Sequence, residues 1–206
     1  MNIVIVGAGN VGRALAAGWK RAGHAVALAV RDPERGDPQG AKREGFALVP
    51  ARNAAQRGDV IVLAVPWDAV GGAIEALGPL AGKIVIDATN PLTNEFTLAL
   101  GHSDSAGETV ARLARGARVV KAFNTTGAKN MSDAHYAGGR LMMPVAGDDR
   151  AAKETVMALA ADLGFEPVDA GPLTMSRYLE PMALVWIKLA ITQGKGTNFG
   201  FALLQR

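Results

Sequence analysis

The chain has 206 residues, 49% of them apolar and 20% charged, with 25 glycines and no cysteine. Such a length and apolar content suit one compact domain around a sizeable core, and exclude a fibrous protein or a long disordered tail. Without cysteine there are no disulfides, thiolate nucleophiles or cysteine zinc sites, so redox chemistry here needs a borrowed cofactor. The 22 Lys and Arg against 19 Asp and Glu give a formal charge of +3, but the charges are interspersed and aromatic residues are few, which argues against nucleic acid as a partner. The chain opens directly into Asn2-Ile3-Val4-Ile5-Val6 without a secretory pattern, and no segment is apolar for long enough to span a bilayer. A soluble, cytoplasmic protein with no membrane partner is the expectation.

Ile3 to Val6 is a continuous β-branched run, the mark of a strand buried on both faces of a parallel sheet. A glycine turn follows. Val11, Leu15, Trp19 and Ala22 then recur at helical spacing up to Gly23, and Ala25 to Val30 reads as a second strand, completing a βαβ unit. Val60 to Val65 and Lys83 to Asp87 are further strands, separated by a helix over Ala69 to Leu77. Alternation of this kind builds a parallel sheet with helices on both faces.

Beyond residue 90 the rhythm loosens, and Pro91 to Asp104 reads as a long loop, either a lid or an irregular connection. Ser105-Ala106-Gly107-Glu108 is a capping box opening a helix to about Arg115, Arg118 to Phe123 is the next strand, and Leu141 to Ala146 another. Asp148-Asp149 heads a helix with Ala152, Val156, Leu159, Ala160 and Leu163 on one face, closing at Gly164, with a strand near Phe165 to Val168 after it. Met182 to Ile191, apolar except for Lys188, predicts a helix buried in the core or at an oligomer interface. The fold class is therefore α/β, a Rossmann-type doubly wound parallel sheet with a small C-terminal α/β extension.

Gly7-Ala8-Gly9-Asn10-Val11-Gly12 matches G-x-G-x-x-G immediately after the first strand and at the opening of a helix. In that context Gly7 permits the tight turn, Gly9 lets a pyrophosphate approach the backbone, and Gly12 allows close packing of helix on strand. The helix N-terminus then receives the phosphates. The end of the second strand decides between the two nicotinamide cofactors: a carboxylate there serves NAD, an arginine NADP. Arg31 comes first, so NADP(H) is favoured, with a guanidinium able to hold the ribose phosphate through two hydrogen bonds. Asp32 reads as a helix N-cap with Pro33 at the first helical position.

Ligands of open parallel sheets lie beyond the carboxyl ends of the strands, where this chain has Val65-Pro66-Trp67, Ala88-Thr89-Asn90-Pro91 and Asn124-Thr125-Thr126-Gly127. Val65, Pro66, Thr89 and Asn90 join the candidate cofactor contacts, and Asn90, Asn124 and Thr125 are the candidate catalytic residues. The alternative is that these amides, hydroxyls and prolines serve only backbone turns. His24, His102 and His135 are dispersed, so no metal site is expected. There is no G-x-S-x-G elbow and no phosphate-loop lysine motif, and Asp148-Asp149 reads as cap and first-turn charge. Hydride transfer can need only two rings held face to face, so the lack of an acid–base dyad does not count against an oxidoreductase.

Together with Ala146-Gly147-Asp148-Asp149 and, most specifically, Asp169-Ala170-Gly171-Pro172-Leu173 followed by Ser176-Arg177 and Glu180, these residues resemble a known family. It is that of the NADP-dependent oxidoreductases of the deazaflavin coenzyme F420, with bacterial homologues and the cytosolic domain of the six-transmembrane metalloreductases. The resemblance spans nearly the whole chain. It implies an NADP-binding Rossmann domain over 1–147, and a small part over 148–206 that completes the acceptor pocket and a homodimer interface. It also implies contacts of Gly9 to Gly12 with pyrophosphate and of Arg31 with the ribose phosphate. The chain departs from the archaeal deazaflavin enzymes in three places: Val30-Arg31-Asp32 stands where they have Ser-Arg-Arg, Asn124 where they tend to have histidine, and the loop Pro91 to Asp104 is longer than in the archaeal form.

The function expected is NADPH-dependent hydride transfer to a small-molecule acceptor, F420 or a flavin such as FAD or FMN. A non-catalytic protein that senses NADP(H) through the same glycine loop is the alternative from another class. A hydroxy- or imino-acid dehydrogenase normally needs a positioned proton donor and often a large helical second domain, for which too little chain remains after the last parallel strand.

Overall fold

The computed structural model describes residues 1–35, 40–204 and 206. In chain order its strands are β1 (Asn2–Val6), β2 (Ala25–Val30), β3 (Ala47–Pro50), β4 (Val60–Leu63), β5 (Ile84–Asp87), β6 (Arg118–Lys121), the two-residue strands β7 (His135–Tyr136) and β8 (Gly139–Arg140), β9 (Met142–Gly147) and β10 (Glu166–Gly171). The helices are α1 (Asn10–Arg21), α2 (Val70–Leu77), α3 (Ala106–Leu113), α4 (Ala128–Ser132), α5 (Arg150–Asp162) and α6 (Ser176–Ile187), the last running on into a π-helical turn, Lys188–Thr192. β7 and β8 form a separate small hairpin, and the other strands make one eight-stranded sheet in the order β10-β9-β6-β5-β4-β1-β2-β3.

Alternation along each strand feeds two cores. Ile3 and Ile5 of β1 pack with Leu15 and Trp19 of α1 and Val156 of α5 on one face, while Val4 and Val6 pack with Ile74 and Leu77 of α2 on the other. Burying each such aliphatic side chain stabilises the fold by roughly 1.5 to 3 kcal/mol, which is why β1 shows the unbroken β-branched run of a two-sided strand. Successive strands proceed outward from β1 in one direction through β2 and β3, and in the other through β4, β5 and β6. The crevice between β1 and β4 is thus the topological switch point at which such sheets bind ligands.

The parallel order ends at β6. β9 runs antiparallel to it, with Lys121 opposite Ala146, and β10 follows β9 in parallel. The chain between β6 and β9 carries only α4 and the β7–β8 hairpin and returns at the same sheet end, so no crossover carries it back to the other end and β9 runs in the reverse direction. The register sends the first half of β9 beyond the carboxyl end of β6, where the Phe123 amide donates to Met143 Sδ at 3.0 Å. A C-terminal wall therefore rises at the edge where the glycine loop opens.

Other features also differ from the sequence expectation, among them the short α4 and the β7–β8 hairpin, which it did not contain. β3 is a half-buried edge strand too short and too exposed to leave a periodic signal. Asp32 caps no helix: its Oδ1 accepts from the amides of Glu34 and Arg35, closing a local turn through residues 33–35. The last helix begins at Ser176 rather than Met182, because its first turns dock through polar and charged groups instead of an apolar stripe, and it is half-buried with Tyr178 and Val185 exposed. The segment 91–104 has no helix or strand and holds a single bridge, Leu92 to Leu98.

Candidate active site

Each glycine of the loop has its own steric reason. A Cβ on Gly7, whose φ is +108°, would lie 2.4 Å from the Ala64 carbonyl oxygen, and one on Gly12 would lie 2.1 Å from the Gly7 carbonyl oxygen. These two hold the turn and the helix against the sheet. Gly9 differs: nothing stands within 4 Å of its Cβ position, so the space in front of it is open. Gly9 is also the N-cap of α1, which has no side-chain cap, whereas Ser105 and Asp149 cap α3 and α5 by accepting amides three residues on. The first-turn amides of α1 are thereby left to an external acceptor, an arrangement suited to a phosphate.

Two clefts flank this turn. One, of about 640 Å³, has Gly7, Arg31, Val65, Pro66, Ala73 and Ala76 among its walls; the other, of about 290 Å³, has Gly9, Asn10, Val11, Pro66, Thr89 and Asn90. Val65 and Pro66 belong to both, so the clefts adjoin across the end of β4. Of the candidate cofactor residues, only Ala8 and Gly12 line neither: Ala8 is buried at 7% exposure, and Gly12 is the packing glycine. Arg31 is exposed at the rim and has no hydrogen bond or ion pair among the described residues.

Asn90 and Asn124 hold each other across the strand ends. Asn90 Nδ2 donates to the Asn124 carbonyl at 3.0 Å, and Asn124 Nδ2 donates to Asn90 Oδ1 at 3.1 Å and to the Leu179 carbonyl at 3.0 Å. These bonds orient both amides and leave Asn124 Oδ1, on a residue only 4% exposed, without a partner among the described residues. Phe123, at φ +61°, is the left-handed residue that turns the chain out of β6 toward Asn124. Thr125 is buried beside them, and of the three candidate catalytic residues only Asn90 lines a cleft, Asn124 and Thr125 lining neither.

Beneath this pair lies a constellation that sequence reasoning missed. Lys121, fully buried, places Nζ 2.9 Å from Asp87 Oδ2, 2.8 Å from Glu180 Oε1 and 2.7 Å from the Thr89 carbonyl. Asp87 Oδ1 accepts from both the amide and the hydroxyl of Thr89, while the Glu180 carboxylate accepts from the Ala106 and Gly107 amides at the start of α3. Every charge is paired and hydrogen-bonded, as burial demands. A charged residue inside a strand of apolar neighbours, Lys121 in Arg118-Val119-Val120-Lys121, was the available signal.

The run Ser176-Arg177 with Glu180 docks α6 on the first turn of α3. Arg177 makes a two-pronged bond to Glu108, whose Oε2 also accepts from the Ser105 hydroxyl, and Ser176 packs so closely on Gly107 that a Cβ there would lie 2.4 Å from its Oγ. The Arg177 guanidinium holds the Glu108 carboxyl below its usual 4.5, with the Ser105 hydroxyl acting in the same direction and burial opposing both. Asp149 is the cap expected of it, but Asp148 reaches across to accept the Leu173 amide at 2.9 Å. The histidines stay apart, and the described residues contain no cluster fit to hold a metal ion.

A solved structure from Arthrobacter sp. FB24, provisionally described as an F420-dependent NADP reductase, is 34% identical and superposes with a TM-score of 0.90, each chain covering 100% of the other. The chain belongs to the family of coenzyme F420-dependent NADP oxidoreductases. The profile of that family, NADP oxidoreductase coenzyme F420-dependent, matches residues 2–91, the half that carries the glycine loop, Arg31 and Asn90. Rattus norvegicus metalloreductase STEAP3 is 32% identical over 180 residues, 87% of this chain. The chain spans 36% of that relative's length. As in this NADP oxidoreductase family, the sheet is of Rossmann type, and among the described residues no helix is long and apolar enough to cross a membrane.

Proposed function

We propose that the chain transfers a hydride between NADP(H) and a flavin- or deazaflavin-type acceptor, FMN, FAD or F420. The observation that carries this reading is the contrast between Gly9, which faces open space above the uncapped start of α1, and Gly7 and Gly12, which are sterically closed. Those features fit a dinucleotide: Gly9, Asn10 and Val11 line the pyrophosphate turn, with Gly7, Ala8 and Gly12 shaping its backbone. Arg31, unpartnered at the rim of the larger cleft, holds the 2′-phosphate. Val65, Pro66, Thr89 and Asn90 line the path to the smaller cleft.

Bound NADPH supplies the hydride. The chain's own residues orient the rings: Asn90, on the wall of the smaller cleft, is held by the buried Asn124 and turns its amide toward the bound ring system, with Thr125 buried beside Asn124. Residues 1–147 serve the nucleotide. Residues 148–206 complete the acceptor pocket and a homodimer contact, supported by the Leu179 carbonyl of α6, which accepts from Asn124, and by exposed Tyr178 and Val185 on the same helix.

The test is consumption of NADPH and NADH by purified protein with riboflavin, FMN, FAD and F420 supplied in turn. NADPH-selective turnover with one of them is expected. Tight NADPH binding without oxidation by any acceptor would overturn the reading in favour of a sensor.

A further inference from the structure

Beside the two clefts of the nucleotide turn lies a third, of about 660 Å³, that the nucleotide reading does not use. Asn10 is a wall of both this cleft and the smaller nucleotide cleft, so the two adjoin at the start of α1. From there it follows one face of α1 through Arg13, Ala14, Ala17 and Arg21. Asn10, Arg13 or Ala14, Ala17 and Arg21 follow one another at three- or four-residue steps, the stripe that one side of a helix presents. The opposite wall is α4 with Gly127, and Trp186 lies at the inner side. A Cβ on Gly127 would meet the Trp186 ring at 2.4 Å, so the glycine lets the ring reach the wall. Small residues at Ala14 and Ala17 keep the groove open between two helices.

The groove is basic away from its Asn10 end. Arg13 is held by Glu44 at 2.6 Å, which neutralises that pair. Arg21 spends one guanidinium nitrogen on the Ser132 carbonyl and keeps other donors; Asp133 lies within its field, but that carboxylate is bonded to His135. Lys129 is exposed on the other wall and has no partner among the described residues. Two cations on facing walls thus stand over an alanine floor.

Resting on the reading that a flat acceptor is reduced at the smaller cleft, we infer that this groove receives the acceptor's side chain, and that Arg21 and Lys129 are the residues that hold its phosphate and set the preference for an anionic acceptor over a neutral one. The ring lies at the Asn10 and Gly127 end, and the phosphate reaches Arg21 and Lys129. Asn10 to Arg21 spans about 16 Å of helix, enough for a sugar-phosphate chain. A neutral ring compound can occupy the ring end alone.

Riboflavin and FMN share one ring and differ by one phosphate, so they isolate the effect. Binding is read by quenching of flavin fluorescence in the presence of NADP⁺, and turnover by NADPH oxidation, for the native chain and for the doubly substituted Arg21→Gln, Lys129→Gln chain. The native protein is expected to prefer FMN over riboflavin on the order of tenfold, from charge-assisted hydrogen bonds. The double substitution is expected to reduce that ratio to within about twofold, and added salt to shrink it in the native chain. Equal affinity of the native protein for both flavins, or a preference that survives the double substitution, overturns the inference and leaves the reductase reading standing. Failure of both flavins to bind overturns the flavin reading and this inference with it.

Discussion

Lys121 Nζ lies 2.8 Å from Glu180 Oε1 and 2.9 Å from Asp87 Oδ2, all three residues being at most 1% exposed. One buried cation therefore joins β5, β6 and α6. Removing it strands two carboxylates in the interior, and Lys121→Met should cost about 3 to 5 kcal/mol in denaturant unfolding. Adding Glu180→Gln removes one of the stranded charges, so the double variant should be less unstable than the sum of the singles. Strict additivity would show that the ion pair does not act as a unit.

The three loop glycines should separate by phenotype. Gly12→Ala drives a methyl into the Gly7 carbonyl and should lower stability by roughly 1 to 3 kcal/mol, as overpacking does. Gly9→Ala meets no protein atom and should unfold at nearly the native temperature while NADPH affinity falls. A Gly9→Ala protein that binds NADPH normally would mean the open space is not the pyrophosphate site.

At Arg31 the contrast is between cofactors. Arg31→Ala should weaken NADPH by roughly ten- to a hundredfold, the worth of a hydrogen bond to a charged group, and leave NADH nearly unchanged. Equal losses for both, measured by titration, would remove Arg31 from the phosphate.

Acid should loosen the junction of α3 and α6. The Arg177 guanidinium holds the Glu108 carboxyl below 4.5 in the folded chain. A carboxyl with a folded pKa below its unfolded one contributes stability that is full above the unfolded value and is lost as pH falls through the folded one. Asp104 and Asp169 are lowered in the same way, by Arg112 and Lys153. The unfolding midpoint should therefore drop between about pH 5 and pH 3, and Arg177→Leu should flatten part of that slope. Identical slopes in both proteins would show that the Arg177 bond does not favour the folded state.

Much of this was legible in the sequence because the signals were local. The unbroken apolar runs of β1 and β4, the glycine spacing and the Ser105 capping box each follow from neighbours a few residues apart. The reversal of β9 was not legible, since strand direction depends on how the chain returns, and both directions share one side-chain alternation. Lys121, Asp87 and Glu180 are distant in sequence, and their pairing exists only once the sheet has placed β5 beside β6. Asn90 and Asn124 were found individually as residues after strands; the mutual bond that leaves Asn124 Oδ1 unpartnered required the fold.

Phe123 serves two masters. Its backbone, at φ +61°, is of the kind glycine or asparagine adopts with least strain, yet its ring is fully buried and meets Trp19 and Phe165 edge-on at 5.4 and 6.3 Å between centroids. Any single replacement that eases the backbone empties the space between two aromatic rings, and any that fills the space keeps the torsion. A saturation library at this position therefore contains no uphill step, and the turn that presents Asn124 can be redesigned only by changing Trp19, Phe123 and Phe165 together.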